Sequence, residues 1–597
     1  MRERIIFAFD PFVFPFTLGM VFIILYLTVG GSKIIASLSK EEKIKLLKHT
    51  FSVSIFKTFW NIIADCLLHI KIFKRNFMLG YMHASIAFGW FMLIFIGHLE
   101  VMMYTPQRNG VLYYPVFFRY FVMKTHETLR GDLLFFLMDL FLLIVLSGVS
   151  IAIYKRFKSS AVGMRQTAKL KTGDKIALYS LWLIFPLRLF AESFTAGISG
   201  GSFMTITINR IFNTFTSNEN LIQPVWWAYS IVLGAFLFAL PFSRYMHIPT
   251  EIFLIWLRNA GIRSTSAREG YSEGEIYSCS SCGICIDVCP MTAKKENSKF
   301  TSVYFLRLLR RRKHESLSPA DKCLMCGKCV EVCPVEIESC RLKLLKREEQ
   351  ITPNGQRMSF LNDIHESTAV ADVLYYAGCM THLTPVIYDS LFKILEKSGT
   401  KYSFMDKDVT VCCGRPLMLS GDNLASNEMI KKNEKIILAS GAKTLLLSCP
   451  ICYKVFKENY NLPTIEIVHY TEFIGKLIKE KKIILKKQSN SFVFHDPCDL
   501  GRGSGIYEQP REILIVAGNL MTSPEEKGLS YCCGGSLGSL SLDNEERKTI
   551  TSASLENLFE NNPDKLVTAC PLCYKTFKNV NEKPTLDIAQ VVAQQMQ

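Results

Sequence analysis

The two halves of this sequence lack different things. Before residue 279 cysteine is absent except for Cys66, so the amino-terminal half offers almost no thiols for disulfides or metal ligation. After about residue 250 there is no apolar run long enough to cross a membrane. At 597 residues the chain is also too long for a single domain. These absences predict a membrane half followed by a cysteine-rich half.

A basic surface of the kind that binds nucleic acid is also missing, although the formal net charge is +16. The lysines and arginines collect in short loops between apolar runs, which is the pattern of membrane topology. We therefore expect no nucleic-acid partner. The sequence does not open with a short apolar stretch and a small-residue cleavage site, so its first apolar run is expected to be a retained helix.

Five apolar runs have the length of a membrane-spanning helix. They cover about residues 12–34, 79–103, 132–154, 175–194 and 225–245. Basic loops after the first and third runs should be cytoplasmic, although the basic residues between 104 and 131 disagree mildly. An odd number of spans then predicts a protein of the cell inner membrane whose cysteine-rich part lies in the cytoplasm. A reducing cytosol favours metal ligation over disulfides.

Four histidines in or near these runs are candidate ligands of b-type haem. His83 and His247 lie near the cytoplasmic ends of the second and fifth runs, where they would share one haem. His98 lies 15 residues beyond His83, about 22 Å along a helix, and its nearest partner is His126. The sequence predicts one haem or two. The alternative is that these are ordinary polar residues of the membrane interface, which is our expectation for His69.

Asp139, Arg188 and Glu192 are charged residues inside the apolar runs. Because charges are costly in lipid, they should face the interior of the helix bundle, where they would contact haem propionates or a quinone. The alternative for Arg188 and Glu192 is that both side chains extend to the membrane interface.

The spacing C-x-x-C-x-x-C-x-x-x-C-P occurs twice after residue 278. It is the spacing of bacterial two-cluster ferredoxins, in which the fourth cysteine of each run binds the other cluster. The predicted ligand sets are Cys279, Cys282, Cys285 with Cys333, and Cys323, Cys326, Cys329 with Cys289. Structural zinc is the alternative, but zinc sites typically pair two separated C-x-x-C knuckles.

A charged connector, about 341–368, leads to an internal repeat of about 120 residues. Each copy contains one cysteine, then a vicinal pair followed by glycine, then a C-x-x-C. The two sets are Cys379, Cys412, Cys413, Cys449, Cys452 and Cys498, Cys532, Cys533, Cys570, Cys573. Apolar runs directly precede several of these cysteines, so we expect them at the carboxyl ends of strands in an α/β sheet. A disulfide between the vicinal residues is the alternative.

The doubled pattern resembles the cysteine-rich CCG domains of the heterodisulfide reductase family. The stretch His495-Asp496-Pro497-Cys498, followed by Leu500-Gly501-Arg502, also matches that family, although Asp499 stands where a bulkier residue is common. The resemblance implies that each five-cysteine set holds a noncubane [4Fe-4S] cluster and that these ten cysteines form the catalytic part of the protein.

The membrane half resembles the five-helix cytochrome b of nitrate reductase gamma subunits, with His83 and His247 at matching motifs and no histidine near Ala228. In order, the whole chain resembles fused membrane iron-sulfur oxidoreductases thought to link electron-transfer flavoprotein to menaquinone. The predicted cofactors are two cubane and two noncubane [4Fe-4S] clusters and one or two b-type haems, with menaquinone as substrate.

The predicted architecture is multi-domain. It combines a five-helix transmembrane cytochrome b-like domain (1–260), a small α-helical two-cluster ferredoxin domain (265–345) and a duplicated α/β cysteine-rich CCG unit (370–485 and 486–597). The expected function is electron transfer between a soluble redox protein, such as electron-transfer flavoprotein, and menaquinone in a lipid membrane. The alternatives are a quinol-linked thiol-disulfide reductase and an electron-wire subunit of a larger complex. Cys66 and Cys340 fit no cluster pattern and are expected to be structural.

Overall fold

The computed structural model describes residues 10–122, 129–158, 168–215, 219–311, 316–350, 371–535 and 537–597. The chain divides into two compact units, Met1–Gly283 and Ile284–Gln597. The division falls inside the predicted ferredoxin domain, between Cys282 and Cys285. We call the two parts unit 1 and unit 2 and describe each by itself.

Unit 1 is helical. Its helices are α1 (Phe14–Ser37), α2 (Lys40–Thr50), α3 (Ile55–Ile62), α4 (Ile70–Arg75), α5 (Phe77–Tyr104), α6 (Phe118–Phe121), α7 (Leu129–Phe157), α8 (Thr172–Ser199), α9 (Phe203–Asn213), α10 (Glu219–Ala239), α11 (His247–Asn259) and α12 (Tyr271–Ser278). Five helical stretches are long and apolar enough to cross a membrane, and they match the five predicted runs: Pro11–Ser37, Phe77–Tyr104, Gly131–Phe157, Thr172–Ser199 and Asn220–Phe242.

Close helix packing in unit 1 depends on glycine. A Cβ at Gly234 in α10 would lie 2.5 Å from the carbonyl oxygen of Pro15 in α1, and one at Gly89 in α5 would lie 2.5 Å from a methyl group of Val145 in α7. These glycines therefore allow α1 to approach α10 and α5 to approach α7. Large side chains such as Trp226 fill the remaining interior.

The charged residues of the apolar runs face the interior of unit 1, as expected. Arg188 and Glu192 are buried, and Arg188 Nε donates a hydrogen bond to Glu192 Oε1 over 2.8 Å. The alternative that both extend to the interface is therefore wrong. Asp139 Oδ2 accepts hydrogen bonds from the backbone N–H groups of Met204 (2.9 Å) and Thr205 (3.0 Å), so it fixes the start of α9.

Arg119, one of the basic residues that disagreed with the predicted topology, is also buried. Its Nη2 lies 2.5 Å from Glu100 Oε1, and its guanidinium group lies 3.5 Å from the centre of the Phe135 ring. Because this charge is neutralised inside the bundle, it is not a loop charge of the kind that sets membrane orientation. No sequence pattern identified Glu100, the partner that offsets the cost of burying Arg119.

Unit 2 begins with short helices and continues as two similar α/β halves. The short helices are α13 (Ile284–Asp287), α14 (Ser302–Arg310), α15 (Leu317–Asp321), α16 (Lys328–Glu331) and α17 (Ser339–Glu348). The first half contains β1 (Val373–Tyr376), α18 (Cys379–His382), α19 (Pro385–Lys397), β2 (Tyr402–Phe404), α20 (Arg415–Ser420), α21 (Asn423–Ala439), β3 (Thr444–Leu447), α22 (Pro450–Asn459), β4 (Glu466–His469) and α23 (Tyr470–Lys479).

The second half repeats this plan. It contains β5 (Ser491–His495), α24 (Gly501–Ser504), α25 (Glu508–Ala517), β6 (Asn519–Met521), α26 (Asn544–Leu558), β7 (Lys565–Thr568), α27 (Pro571–Lys578), β8 (Thr585–Asp587) and α28 (Ile588–Gln595). The four-stranded sheets have the parallel orders β2-β1-β3-β4 and β6-β5-β7-β8, with Leu374 opposite Leu445 and Val493 opposite Leu566. The predicted duplication is therefore present in the fold.

The two halves of unit 2 pack against each other. The hydroxyl group of Tyr470, at the start of α23, donates a hydrogen bond of 2.8 Å to Asp587 Oδ1 at the end of β8. Buried apolar residues of both halves belong to one hydrophobic core, including Leu446 of β3 and Val567 of β7. The carboxyl ends of the central strands can therefore contribute residues to a shared region.

Candidate iron-sulfur and haem sites

The repeated cysteines lie where the central parallel strands end, as predicted. Strands β1 and β5 lead to Cys379 and Cys498, and strands β3 and β7 lead to Cys449 and Cys570. Parallel neighbours end at the same edge of a sheet, so each half brings its cysteines to one place. Cys412, Cys413, Cys532 and Cys533 form no disulfide, so the disulfide alternative for the vicinal pairs is wrong in this structure.

In the first half the five thiols form one connected group. Hydrogen bonds join Cys379 to Cys412, Cys412 to Cys413, Cys413 to Cys452, and Cys452 to Cys449. The bonds from Cys412 and Cys452 lower the pKa of the Cys413 thiol. A lower pKa favours the thiolate, which is the form that binds iron.

The second half has the same arrangement. Cys532 is hydrogen-bonded to Cys498 and Cys533, and the sulfur atoms of Cys533 and Cys573 are 3.3 Å apart. Cys573 is in turn hydrogen-bonded to Cys570. Hydrogen bonds from Cys532 and Cys573 hold the pKa of Cys533 well below its usual range. In both halves the second residue of the vicinal pair is thus the thiol whose pKa is lowered.

Backbone geometry leaves room beside each thiol group. Gly414 and Gly534, which follow the vicinal pairs, have φ angles of +91° and +85°, values that side chains disfavour. A Cβ at Gly378 would lie 3.0 Å from the sulfur of Cys452. Five soft thiols around such a cradle fit an iron-sulfur cluster.

A narrow cleft of about 20 Å³, room for about one water molecule, lies where the two halves meet. Its lining residues are Pro450, Ile451, Pro497, Cys498, Asp499, Cys533, Cys570, Leu572 and Cys573. At its edge Arg415 Nη2 lies 3.7 Å from Asp499 Oδ1. Four of the five thiols of the second half line this cleft.

Different side chains support the two thiol groups. In the first half the carbonyl oxygen of Cys413 accepts a hydrogen bond from the Tyr460 hydroxyl over 3.2 Å, and that of Cys412 accepts one from Asn433 Nδ2 over 2.9 Å. In the second half the carbonyl oxygen of Cys533 accepts from Thr551 Oγ1 over 2.8 Å. These bonds fix the backbone of both vicinal pairs, although neither supporting set is recognisable from cysteine spacing.

The predicted ferredoxin ligands are divided between the two units. Cys279 and Cys282 belong to unit 1, whereas the other six belong to unit 2. Cys340, which the spacing leaves outside both ligand sets, has its thiol hydrogen-bonded to those of Cys323 and Cys329. The cysteine pattern gave no signal for this position, because only the turn into α17 brings Cys340 there.

A buried lysine accompanies these thiols. Lys343 in α17 is 2% exposed and donates a hydrogen bond to Cys323. Burial by itself would lower the pKa of Lys343, but the thiols of Cys323, Cys329 and Cys340 raise it above its usual range. Cysteine spacing gave no signal for this residue, which supplies a positive charge to the ligand set of Cys289, Cys323, Cys326 and Cys329.

The structure brings three histidines of unit 1 together. His83 and His247 are half-buried and close enough to interact electrostatically. His69 stacks on His83, with ring centroids 5.3 Å apart, a contact that its expected place at the membrane interface did not indicate. His247 Nδ1 lies 2.7 Å from the carbonyl oxygen of Arg244, which orients the ring and leaves Nε2 for a ligand. These residues fit one haem site.

The predicted second haem pair, His98 with His126, stays a prediction, and only His98 is described. His98 is exposed on the outer face of α5, with Nδ1 2.8 Å from the carbonyl oxygen of Ile94. The interior near this end of α5 is occupied by the Glu100–Arg119 ion pair. His126 lies outside the described residues. His98 is therefore misplaced for a haem inside the bundle.

Comparison with known proteins identifies domains in both parts of the cysteine-rich region. A family model described as a cysteine-rich domain matches residues 373–457 and 492–578, and a 4Fe-4S dicluster domain model matches residues 275–337. The chain thus carries two cysteine-rich domains and a 4Fe-4S dicluster domain, as predicted. The dicluster match favours iron-sulfur clusters over the zinc alternative for the ferredoxin runs.

Three of the similar proteins are named as oxidoreductases or as a reductase subunit. An EtfAB:quinone oxidoreductase of Syntrophomonas wolfei is 29% identical over 36% of this chain and 32% of its own. One subunit of the dihydromethanophenazine:CoB--CoM heterodisulfide reductase of Methanosarcina acetivorans is 29% identical over 36% of this chain and 56% of its own. A probable iron-sulfur-binding oxidoreductase of Bacillus subtilis is 25% identical over 37% of this chain and 34% of its own.

The chain therefore spans about a third to a half of the length of these relatives. Among solved structures, a putative Asp/Glu racemase from Yersinia pestis covers 37% of this chain at 13% identity, with 96% of its own chain matched and a TM-score of 0.22. That likeness is too low to support an argument.

Proposed function

We propose that this chain, an iron-sulfur oxidoreductase with two cysteine-rich domains and a 4Fe-4S dicluster domain, passes electrons between a soluble redox protein and menaquinone in the membrane. One observation carries the proposal: a single chain combines five helices able to cross a membrane with a connected series of thiol sites in unit 2. The name of the Syntrophomonas wolfei relative suggests electron-transfer flavoprotein as the soluble partner.

In this proposal the thiols of unit 2 hold two noncubane clusters, and the two ferredoxin runs hold two cubanes. A b-type haem is bound by His83 and His247. When bound, such groups accept and release single electrons. The chain's own contribution is to bury the ligands, since Cys413, Cys449, Cys533 and Cys570 are at most 3% exposed and are shielded from water.

The proposed location is the cell inner membrane, with the iron-sulfur domains in the cytoplasm. The basic loops of unit 1 support this orientation. Reduction of menaquinone consumes two electrons and two protons, so the membrane half must receive two single electrons for each quinone reduced. The buried Arg188–Glu192 pair is a candidate neighbour of that quinone.

A second candidate function is cleavage of a disulfide, which consumes two electrons and two protons and yields two thiols. The cleft between the halves favours it, because it opens beside Cys498, Cys533, Cys570 and Cys573, the thiols of one proposed cluster site. The relative from Methanosarcina acetivorans is named for such a substrate. In this case quinol would be the source of the electrons.

Reoxidation of the reduced protein separates the two functions. The full chain would be purified anaerobically in detergent, reduced, and mixed with a menaquinone analogue or with a panel of small disulfides while the haem band is followed. We expect reoxidation by the quinone. Reoxidation by disulfides alone would contradict the proposal and support the second candidate. His98→Ala serves as a matched control, because His98 lies on the outer face of α5 and its loss should not change the rate.

A further inference from the structure

Two of the thiol sites in unit 2 touch each other. The thiol of Cys326, a predicted cubane ligand, is hydrogen-bonded to that of Cys532 in the second cysteine-rich domain. Both belong to a buried apolar group that also contains Met291, Leu324 and Leu542. We call this contact the junction. On the other side of the second domain, Cys570 lies close enough to Cys449 of the first domain for an electrostatic interaction.

Arg502 lies at the junction. Its Nε donates a hydrogen bond of 2.8 Å to the carbonyl oxygen of Cys326. Its Nη1 donates to the carbonyl oxygens of Ser530 (2.9 Å) and Gly528 (3.2 Å), so the side chain joins the ferredoxin region to the second domain. Nη2 is buried and has no hydrogen-bond acceptor among the described residues.

The charge of Arg502 is directed at thiols of both sites. Cys326, Cys498 and Cys532 are the groups with which it interacts most strongly. Its hydrogen-bond acceptors within the described residues are carbonyl oxygens and the hydroxyl of Ser530, not carboxylates. By contrast, the nearby Lys328 is paired with Glu525. No carboxylate within the described residues offsets the charge of Arg502. The charge therefore acts on the two cluster sites.

The short helix α24, which carries Arg502, has little freedom. A Cβ at Gly501 would lie 2.5 Å from the ring of Tyr507, and a Cβ at Gly503 would lie 3.0 Å from Lys454 Cδ. Gly501 is thus required by a close contact, whereas the flexible Lys454 side chain could move away from a Cβ at Gly503. The guanidinium group is held in place both by its backbone and by its hydrogen bonds.

We propose that Arg502 is a positioning residue that raises the reduction potentials of the two clusters on either side of the junction. The inference rests on the proposed function, because it assumes that both thiol sites hold clusters. A reduced cluster carries one more negative charge than an oxidised one, and a nearby fixed cation in a buried site stabilises the reduced form. Hydrogen bonds to cluster sulfurs act in the same direction, and Nη2 is the donor available for one.

The test is a redox titration of the loaded protein, followed by electron paramagnetic resonance and using chemical mediators instead of quinone. Arg502→Gln removes the charge and should shift the midpoint potentials of both clusters downward at full iron content. Arg502→Lys keeps the charge but loses the forked hydrogen bonds, so both shifts should be smaller. Lys578→Gln is the control, because it removes a charge from the exposed end of α27 and should change neither potential.

Unchanged potentials in an iron-loaded Arg502→Gln protein would overturn the inference, and so would a shift confined to one cluster. If Arg502→Gln fails to bind iron, the midpoint potentials of Arg502→Lys are measured instead. Unchanged potentials in that variant would count against the inference. The mediators bypass the quinone, so a protein that fails to react with menaquinone but shows both shifts would contradict only the proposed function.

Discussion

At the scale of single residues, the histidines of unit 1 show why position along a helix is not enough. His83 and His98 both lie in α5, but His83 contacts His69 and His98 faces outward. The 15 residues between them correspond to about four helical turns and a rotation of about 60° away from the same face. Only one of the two therefore lies beside a second histidine of the bundle.

This difference predicts opposite outcomes for two alanine variants. His83→Ala should abolish the haem absorption band of the purified protein, because it removes one of the two proposed haem ligands. His98→Ala should leave the band unchanged. Absorption spectra of both variants, at equal protein concentration, are the measurement. An intact band in His83→Ala would contradict the haem site proposed here.

Asp587 is a second residue whose surroundings determine its behaviour. Its Oδ1 accepts hydrogen bonds from Tyr470 and from the backbone of Ala589, while Oδ2 is buried without a partner among the described residues. Burial raises the pKa of Asp587 to about 7. Between about pH 4 and pH 7 the unfolded chain has therefore lost a proton that the folded chain keeps, and the free energy of unfolding falls as pH rises.

Asp587→Asn should remove this pH dependence and keep both hydrogen bonds on the remaining oxygen. We expect the variant to unfold at a higher temperature than the parent protein, with a difference that grows from about pH 5 to about pH 8. Thermal unfolding at both pH values is the measurement. Asp564→Asn is the control, because that carboxylate is exposed. The same rise in unfolding temperature in this control would argue against burial as the cause.

At the scale of elements, glycine positions decide which helices of unit 1 can pack. Gly234 and Gly30 lie in α10 and α1, but only Gly234 has a neighbour, Pro15, within contact distance of an added side chain. Helix composition alone does not separate the two, since both sit in apolar helices. Packing of α1 on α10 therefore requires glycine at position 234 but not at position 30.

Gly234→Leu should therefore destabilise the membrane unit by about 1–3 kcal/mol or more, the usual cost of forcing extra atoms into a packed interior. Gly30→Leu should have little effect, because no atom lies within 4 Å of the added Cβ. Thermal unfolding of the detergent-solubilised variants would compare them. Equal stability of the two would show that α1 and α10 do not pack as described.

At the scale of the whole molecule, the basic loops and five spans predict a single orientation in the membrane. The loop after α9 should lie outside and the chain after α12 in the cytoplasm. Burial of Arg119 with Glu100 strengthens this expectation, because it removes one charge from the loop that disagreed.

Epitope tags test the orientation. A tag placed between Asn213 and Glu219 should bind antibody on intact spheroplasts, whereas a tag after Gln597 should bind only after the cells are permeabilised. Reversed labelling would place the iron-sulfur domains on the wrong side for a cytoplasmic electron donor. Equal expression of the two tagged proteins is the necessary control.

The sequence by itself determined the five apolar helices, the duplicated α/β fold and the placement of Cys379, Cys449, Cys498 and Cys570 directly after strands. Those features depend on hydrophobic periodicity and on short cysteine spacings, which are local. The same spacings indicated the dicluster domain. That both sheets share one strand order also follows from the repeat, since both halves have the same sequence of apolar runs and cysteines.

Only the tertiary structure decided which sites are neighbours. The contacts of Cys326 with Cys532, of Cys340 with Cys323 and Cys329, and of Arg119 with Glu100 join residues that are far apart in sequence or outside any motif. Such contacts depend on how separate elements pack, and no spacing rule encodes packing. The same holds for His69, whose neighbour His83 lies on a different helix.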